Sequence, residues 1–437
     1  MRLRYHAIPR ELFDALAAGG GGPEAIGVLA AAEHSKHALL LRGVMAAARA
    51  ADPVQARFAA IGGEVLAEVE RRAPGVAAQV THYPAVGAWA MDTLRALRAE
   101  AGLPHAAPAR LAAVAAAAAV RSGTDAEIPV LPVAGVVSLP SLGAARVDAD
   151  FATVCSMQGG AEVRWAHGRI EIPADGRADT PGWLGIRGCR AGRLEAVIED
   201  LDPFRMPTVD ALAPRLTALE ALDWQCAIQQ GWQVLAAVSP AVAAEVAAAV
   251  SVIVPLSPSV HGQQSSSSPH TFGAVAMSQP PDPDTCASTL AHEVQHVKLC
   301  AVLDIVRLTL PDDGRRYYAP WRDDPRPAAG LLQGAYAFVG VTEFWRRRRQ
   351  LATGAAQLRA EGEFARWRSG ARRVIDTLLA SDRLTRAGAD FVQCMSETAG
   401  LWANEPVPAS ARTIARREAE RHLARWELRH GPIDRFA

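Results

Sequence analysis

Apolar residues recur at every third or fourth position in AAIGGEVLAEVERRA (59–73) and WAMDTLRALRAEAG (89–102), with charged residues between them. That period lays an apolar stripe along one face of an α-helix, so residues 1–125 are expected to form a helical region. The texture then changes. IPVLPVAGVVSL (128–139), AEVRWAHGRIEI (161–172) and RLEAVIEDL (193–201) are short runs rich in β-branched residues, separated by Gly, Pro and Asp clusters. They predict a small, mostly antiparallel β unit over 126–203. Helical spacing returns from Val209 to Ala249, after turn signals at Asp202-Pro203 and Met206-Pro207. SVIVPLS (251–257), the polar stretch HGQQSSSSPH (261–270) and HTFGAVAMS (270–278) follow. The last alternates well enough to be a strand, and the pattern leaves open whether it is an edge or an interior one. From Thr285 to Arg429 the chain reads as helices broken at Pro311, Pro320–Pro327 and Pro406–Pro408. The expected fold class is α+β and mostly helical, with a small antiparallel β unit in the middle and residues 204–437 as a mainly helical unit carrying a strand.

Composition narrows the function classes. Lys+Arg and Asp+Glu balance at 46 each over 437 residues, which gives no global field to attract nucleic acid or an acidic membrane surface. Six cysteines, Cys155, Cys189, Cys226, Cys286, Cys300 and Cys394, are scattered without a C-x-x-C pair, which suits a reduced, cytoplasmic protein. The first residues lack a sustained apolar stretch and a cleavage pattern, so no secretory signal is expected. A membrane span needs about 20 apolar residues; the longest run, Leu111 to Val120, is bounded by Arg110 and Arg121. The sequence sets no oligomeric state.

The chemistry concentrates in PDPDTCASTLAHEVQHVKLCAVLDIVRLTLPDDG (281–314), with a proline-punctuated start, capping candidates Asp284 and Thr285, and a stop at Pro311 to Gly314. Within it, His292-Glu293-Val294-Gln295-His296 places two imidazoles one turn apart on one helix face. That spacing lets both bind one metal, and Glu293 is carried close to the same ion, where it could act on a bound water. The alternative is a surface stripe with Glu293 in solvent. A third ligand is harder to find. Thermolysin-like enzymes add a Glu from a downstream helix, a role Glu343 could take; metzincins add a His six residues on, where this chain has Val302, and no His occurs between His296 and His422. His261 and His270, flanking the serine stretch, are fallback ligands or parts of a mobile loop. Lys298, one of two lysines in the chain, is expected at a solvated helix position. Tyr317, Tyr318 and Trp321 are expected to pack, with an aromatic wall for a co-substrate as the alternative.

HTFGAVAMSQPP, TLAHEVQHVKL, YYAPWRDDPRPAAGLLQGAYAFVGVTEFW and DLDPFR together resemble a bacterial HExxH family associated with ribosomally made, post-translationally modified peptides. That family includes iron- and 2-oxoglutarate-dependent peptide β-hydroxylases, and the likeness covers roughly residues 200–350. It implies Fe(II) on His292 and His296, with Gln333, where many members have His, or Glu343 as third ligand. Such a site needs open positions for a 2-oxo acid and oxygen. The distal carboxylate of 2-oxoglutarate wants a fork-shaped cation, which Arg322 or Arg326 could supply, unless both form ordinary loop salt bridges with Asp323 or Asp324.

Three functions follow as expectations. The first is Fe(II)- and 2-oxoglutarate-dependent hydroxylation of β-carbons in a ribosomally made precursor peptide. The second is a Zn2+ metallopeptidase with Glu293 as general base and Glu343 as third ligand. The third is a catalytically silent peptide-binding partner in maturation.

Overall fold

The computed structural model describes residues 5–49, 52–99, 107–207, 209–259 and 262–432. The N-terminal part is helical: α1 (Arg10–Ala17), α2 (Gly22–Ala48), α3 (Pro53–Arg72), α4 (Pro74–Thr81), α5 (Pro84–Ala99) and α6 (Arg110–Ser122). Proline stands in the first turn of α2 to α5, where a missing N–H leaves no bond unmade. α6 stops at Gly123, whose left-handed φ of 65° suits a residue without a Cβ.

Strands follow: β1 (Ala126–Val130), β2 (Val136–Leu139), β3 (Gly143–Arg146), β4 (Ala152–Met157), β5 (Gly160–Trp165), β6 (Gly168–Ile172), β7 (Trp183–Gly185), β8 (Arg187–Ala191) and β9 (Leu194–Ile198). Then come α7 (Ala218–Val238), opened by a reciprocal Thr217–Glu220 capping box, α8 (Pro240–Ala249), β10 (Val252–Leu256), β11 (Ser265–Ser266) and β12 (Ala274–Ser278). The remainder is α9 (Pro283–Ile305), α10 (Ala328–Leu351), α11 (Gly354–Ala380), α12 (Arg386–Leu401) and α13 (Ala409–His430). The fold is α+β and mostly helical, as the periodicity predicts.

Two small sheets, β1-β4-β5-β6 and β2-β3-β7, are antiparallel. The third, β11-β12-β10-β9-β8, is mixed: β10 runs parallel to both β9 and β12. The last two strands of the middle stretch therefore join the sheet of β10 rather than the two antiparallel sheets, β9 pairing with β10 and β8 with β9. Parallel strands are covered on both faces, and every residue of β10 and β12 is buried.

The mixed sheet lies between two cores. Ile253, Val275 and Met277 face a core shared with α7 and α9 to α12, while Val252, Val254, Ala274 and Ala276 face a core shared with α3, α5, α6 and the antiparallel sheets. The two-residue period of a strand produces this division. β12 is an interior strand, its outer side covered at Ala276 and Met277 by the short antiparallel β11.

α9 leaves β12 across residues 279–282. Its cap is Asp282, two and three residues ahead of the expected Asp284 and Thr285; the Asp282 carboxylate accepts from the Thr285 N–H at 2.8 Å, with Pro283 at the helix start. The expectation for Lys298 fails as well. Its side chain is 0 % exposed, and Nζ donates to Glu245 at 2.6 Å, to the Gly19 carbonyl at 2.9 Å and to the Gly20 carbonyl at 3.1 Å. Gln295 also donates to Gly19 O at 2.9 Å, and the Tyr336 hydroxyl donates to Leu16 O at 2.6 Å. The turn between α1 and α2 is thus tied to the back of α9 and α10. Among the described residues no single helix is long and apolar enough to cross a membrane.

Candidate metal centre

His292 and His296 share one face of α9, and their Nε2 atoms converge to 3.1 Å. Two imidazoles bonded to one ion at about 2.0–2.1 Å must hold their nitrogens near such a separation. Burial, with the neighbouring His296 ring, keeps His292 well below the usual imidazole range, so it is neutral, the form in which an imidazole binds a metal. Glu293 is 1 % exposed, which removes the solvated alternative. The Ser267 hydroxyl, just beyond β11, donates to its Oε2, and its Oε1 lies 3.8 Å from His292 Nε2.

These side chains lie along a cavity of about 740 Å³. One wall is aromatic. Trp321 stacks on Phe338 with centroids 4.4 Å apart, Phe338 meets Trp367 at 4.3 Å, and the His292 ring stands edge-on to Phe338 at 5.1 Å. Gly334 allows this, because a Cβ there would lie 2.3 Å from the Trp321 indole nitrogen. Arg322 and Arg326 also line the cavity, and both donate to Asp324 at 3.0 Å, through Nε and Nη1 respectively. The ion pair with Asp324 and the place in the cavity of the histidine pair coexist. Of the aromatics singled out by sequence, Trp321 reaches the cavity; Tyr317 and Tyr318 are buried elsewhere, the Tyr318 hydroxyl 2.9 Å from His422 Nδ1.

Of the third-ligand candidates, Glu343 and His270 are not brought to the histidine pair. Glu343 is ion-paired with Arg346 and Arg347 and does not line the cavity. Its place on α10 turns it towards the arginine run that follows. His270 Nε2 lies 3.0 Å from an Arg95 Nη, away from the cavity. In the segment ahead of it, residues 263–267 line the cavity and Ser265–Ser266 form β11. His261 lies outside the described residues. Gln333 lines the cavity, and its Oε1 is 3.1 Å from His296 Nδ1, the ring nitrogen opposite the one that faces His292. That is the position of a group that orients a ligand, not of a ligand.

Among the described residues no group of three or more His, Cys, Asp or Glu side chains converges on a metal position. A closed structural zinc site, with four protein ligands, is therefore a poor fit. Two imidazoles facing a cavity fit an ion that takes further ligands from co-substrate or solvent. Sequence reasoning missed Phe338, Trp367, Glu363, Arg359 and Ser267, all of which line the cavity. Arg359, Glu363 and Trp367 share α11, Phe338 lies on α10 and Ser267 follows β11, and no local spacing joins them to the motif. Cys300, next to Gln333, did carry a signal, since it continues the His292, His296 stripe by one more turn.

No protein-family model matches the chain, and no curated protein shows significant similarity to it.

Proposed function

We propose that the protein holds Fe(II) on His292 and His296 and hydroxylates a β-carbon of a residue in a ribosomally made precursor peptide, using 2-oxoglutarate and oxygen. The observation that carries this reading is the histidine pair, Nε2 atoms 3.1 Å apart, opening on a cavity that also holds Arg322 and Arg326. The chemistry that a bound ferrous ion supplies is oxygen activation: one oxygen atom goes into succinate as 2-oxoglutarate loses CO2, and the other enters a substrate C–H bond. The arginines bind the distal carboxylate of the co-substrate, in competition with Asp324. The wall of Trp321, Phe338 and Trp367 keeps water from the reacting side of His292. Glu293, fixed by Ser267, orients groups around the pair. An extended peptide has a place along the outer edge of β11, where strand addition would carry it past the same cavity. Six free thiols agree with a reducing, cytoplasmic setting for such a substrate.

The peptidase reading uses the same histidines and Glu293 but requires a third protein ligand, and Glu343 is engaged by two arginines instead. A silent binding partner would need none of this chemistry. Protein purified without oxygen and supplied with Fe(II), 2-oxoglutarate and then oxygen is expected to form succinate. Absence of succinate together with zinc-supported peptide cleavage would replace the oxygenase by the peptidase.

A further inference from the structure

We infer that Gln333 is a positioning residue that sets the tautomer of His296, with Cys300 as the second anchor of its amide. The inference rests on the metal reading of the histidine pair. The Gln333 Oε1 lies 3.1 Å from His296 Nδ1. A carbonyl oxygen can only accept, so in the singly protonated ring the proton sits on Nδ1. Nε2 is then left with its lone pair, directed at the point it shares with His292 Nε2, 3.1 Å away. In the metal-free protein the short contact between the two Nε2 atoms therefore has one donor, His292 Nε2–H, and for Nε2 to bind an ion that ring must shift to the tautomer with its proton on Nδ1.

The amide is held at its other end. Gln333 Nε2 donates to Cys300 Sγ at 3.6 Å, within the range for sulfur, and burial pushes the Cys300 thiol up to about 12, so it stays neutral. Cys300 lies one turn beyond His296 on α9, and Gln333 comes from the first half of α10. The two helices thus build a His296–Gln333–Cys300 line that runs from the cavity wall at Gln333 to Cys300, on the Nδ1 side of His296. An orienting hydrogen bond of this type is worth roughly 10- to 100-fold in metal affinity.

Two readouts test this. In metal-free protein labelled with 15N-histidine, long-range proton–nitrogen NMR is expected to find His296 protonated on Nδ1, and Gln333→Leu is expected to lose that single tautomer. In chelator competition with Zn2+ and with Fe2+, Gln333→Leu is expected to bind roughly 10- to 100-fold more weakly than the parent. Gln333→Glu, which keeps an accepting oxygen, is expected to retain both the tautomer and most of the affinity. An unchanged tautomer in Gln333→Leu, or full affinity in that variant when His296→Ala loses the ion, overturns the role of Gln333 alone. A parent that binds neither ion overturns the metal reading instead, and the tautomer measurement still decides the hydrogen bond.

Discussion

The Glu293 carboxylate faces different demands in the two candidate chemistries. A zinc peptidase needs it to take a proton from metal-bound water, so Glu293→Gln would abolish cleavage while the metal stays. In the oxygenase it orients its neighbours, held by Ser267, and its loss should weaken the site roughly 10- to 100-fold without silencing it. Glu293→Gln is therefore expected to keep measurable succinate formation; complete loss, with cleavage in the parent, contradicts this. Arg322→Lys and Arg326→Lys test the co-substrate clamp, because an ammonium cannot reproduce a bidentate fork. Their KM for 2-oxoglutarate should rise, more for Arg326, whose side chain is 35 % exposed against 52 % for Arg322. Unchanged KM in both variants removes them from the site. The histidine pair was legible in the sequence because its geometry is local to one helix. The orienting role of Gln333 was not, because it depends on how α10 packs against α9, and side-chain direction at such a crossing is a tertiary property.

At the scale of elements, α9 is held from both sides. Its front faces the cavity, and its back buries Lys298 against Glu245 and two carbonyls of the α1–α2 turn. Removing one partner of a buried ion pair leaves an uncompensated charge and costs about 3–5 kcal/mol. Lys298→Met is expected to lower the urea midpoint accordingly, and Lys298→Met with Glu245→Leu to recover part of the loss. A single variant as stable as the parent would show that the pair does not hold the turn. The start of α9 and the strand before it could be read from proline, Asp and alternation. The burial of Lys298 could not, since Gly19 and Gly20 stand some 280 residues earlier. Nor could β11: two serines have no strand pattern, and only pairing with Ala276 and Met277 makes them one.

For the molecule as a whole, the N-terminal helices carry a histidine cluster that links stability to pH. His34 and His82 stack with centroids 3.5 Å apart, and His37 lies 6.3 Å from His82. Burial pushes His37 from 6.5 to about 4 and His82 to about 3, and lowers His34 and His270 as well. The unfolded chain then binds these protons first, so their contribution is intact above 6.5 and is lost as pH falls from there towards 4 and 3. Glu33, raised by burial to about 7, has the opposite sign, gaining stability from 7 down to 4.5, and offsets part of the loss. Lys36, Asp304 and Arg95 are further charges around the cluster. The melting temperature is expected to fall between pH 6.5 and 4, less steeply in His82→Phe; equal acid sensitivity in that variant contradicts the assignment. The two-core plan behind this cluster was legible only in part, because alternation marks β10 and β12 as strands without saying that their two faces serve different cores. The central claim is that one metal ion sits on His292 and His296, and metal content per chain tests it most directly. Protein purified without oxygen and reconstituted with Fe(II) should hold about one equivalent, lost in His292→Ala and in His296→Ala with the fold preserved. Metal content that is the same in the parent and both variants would contradict it.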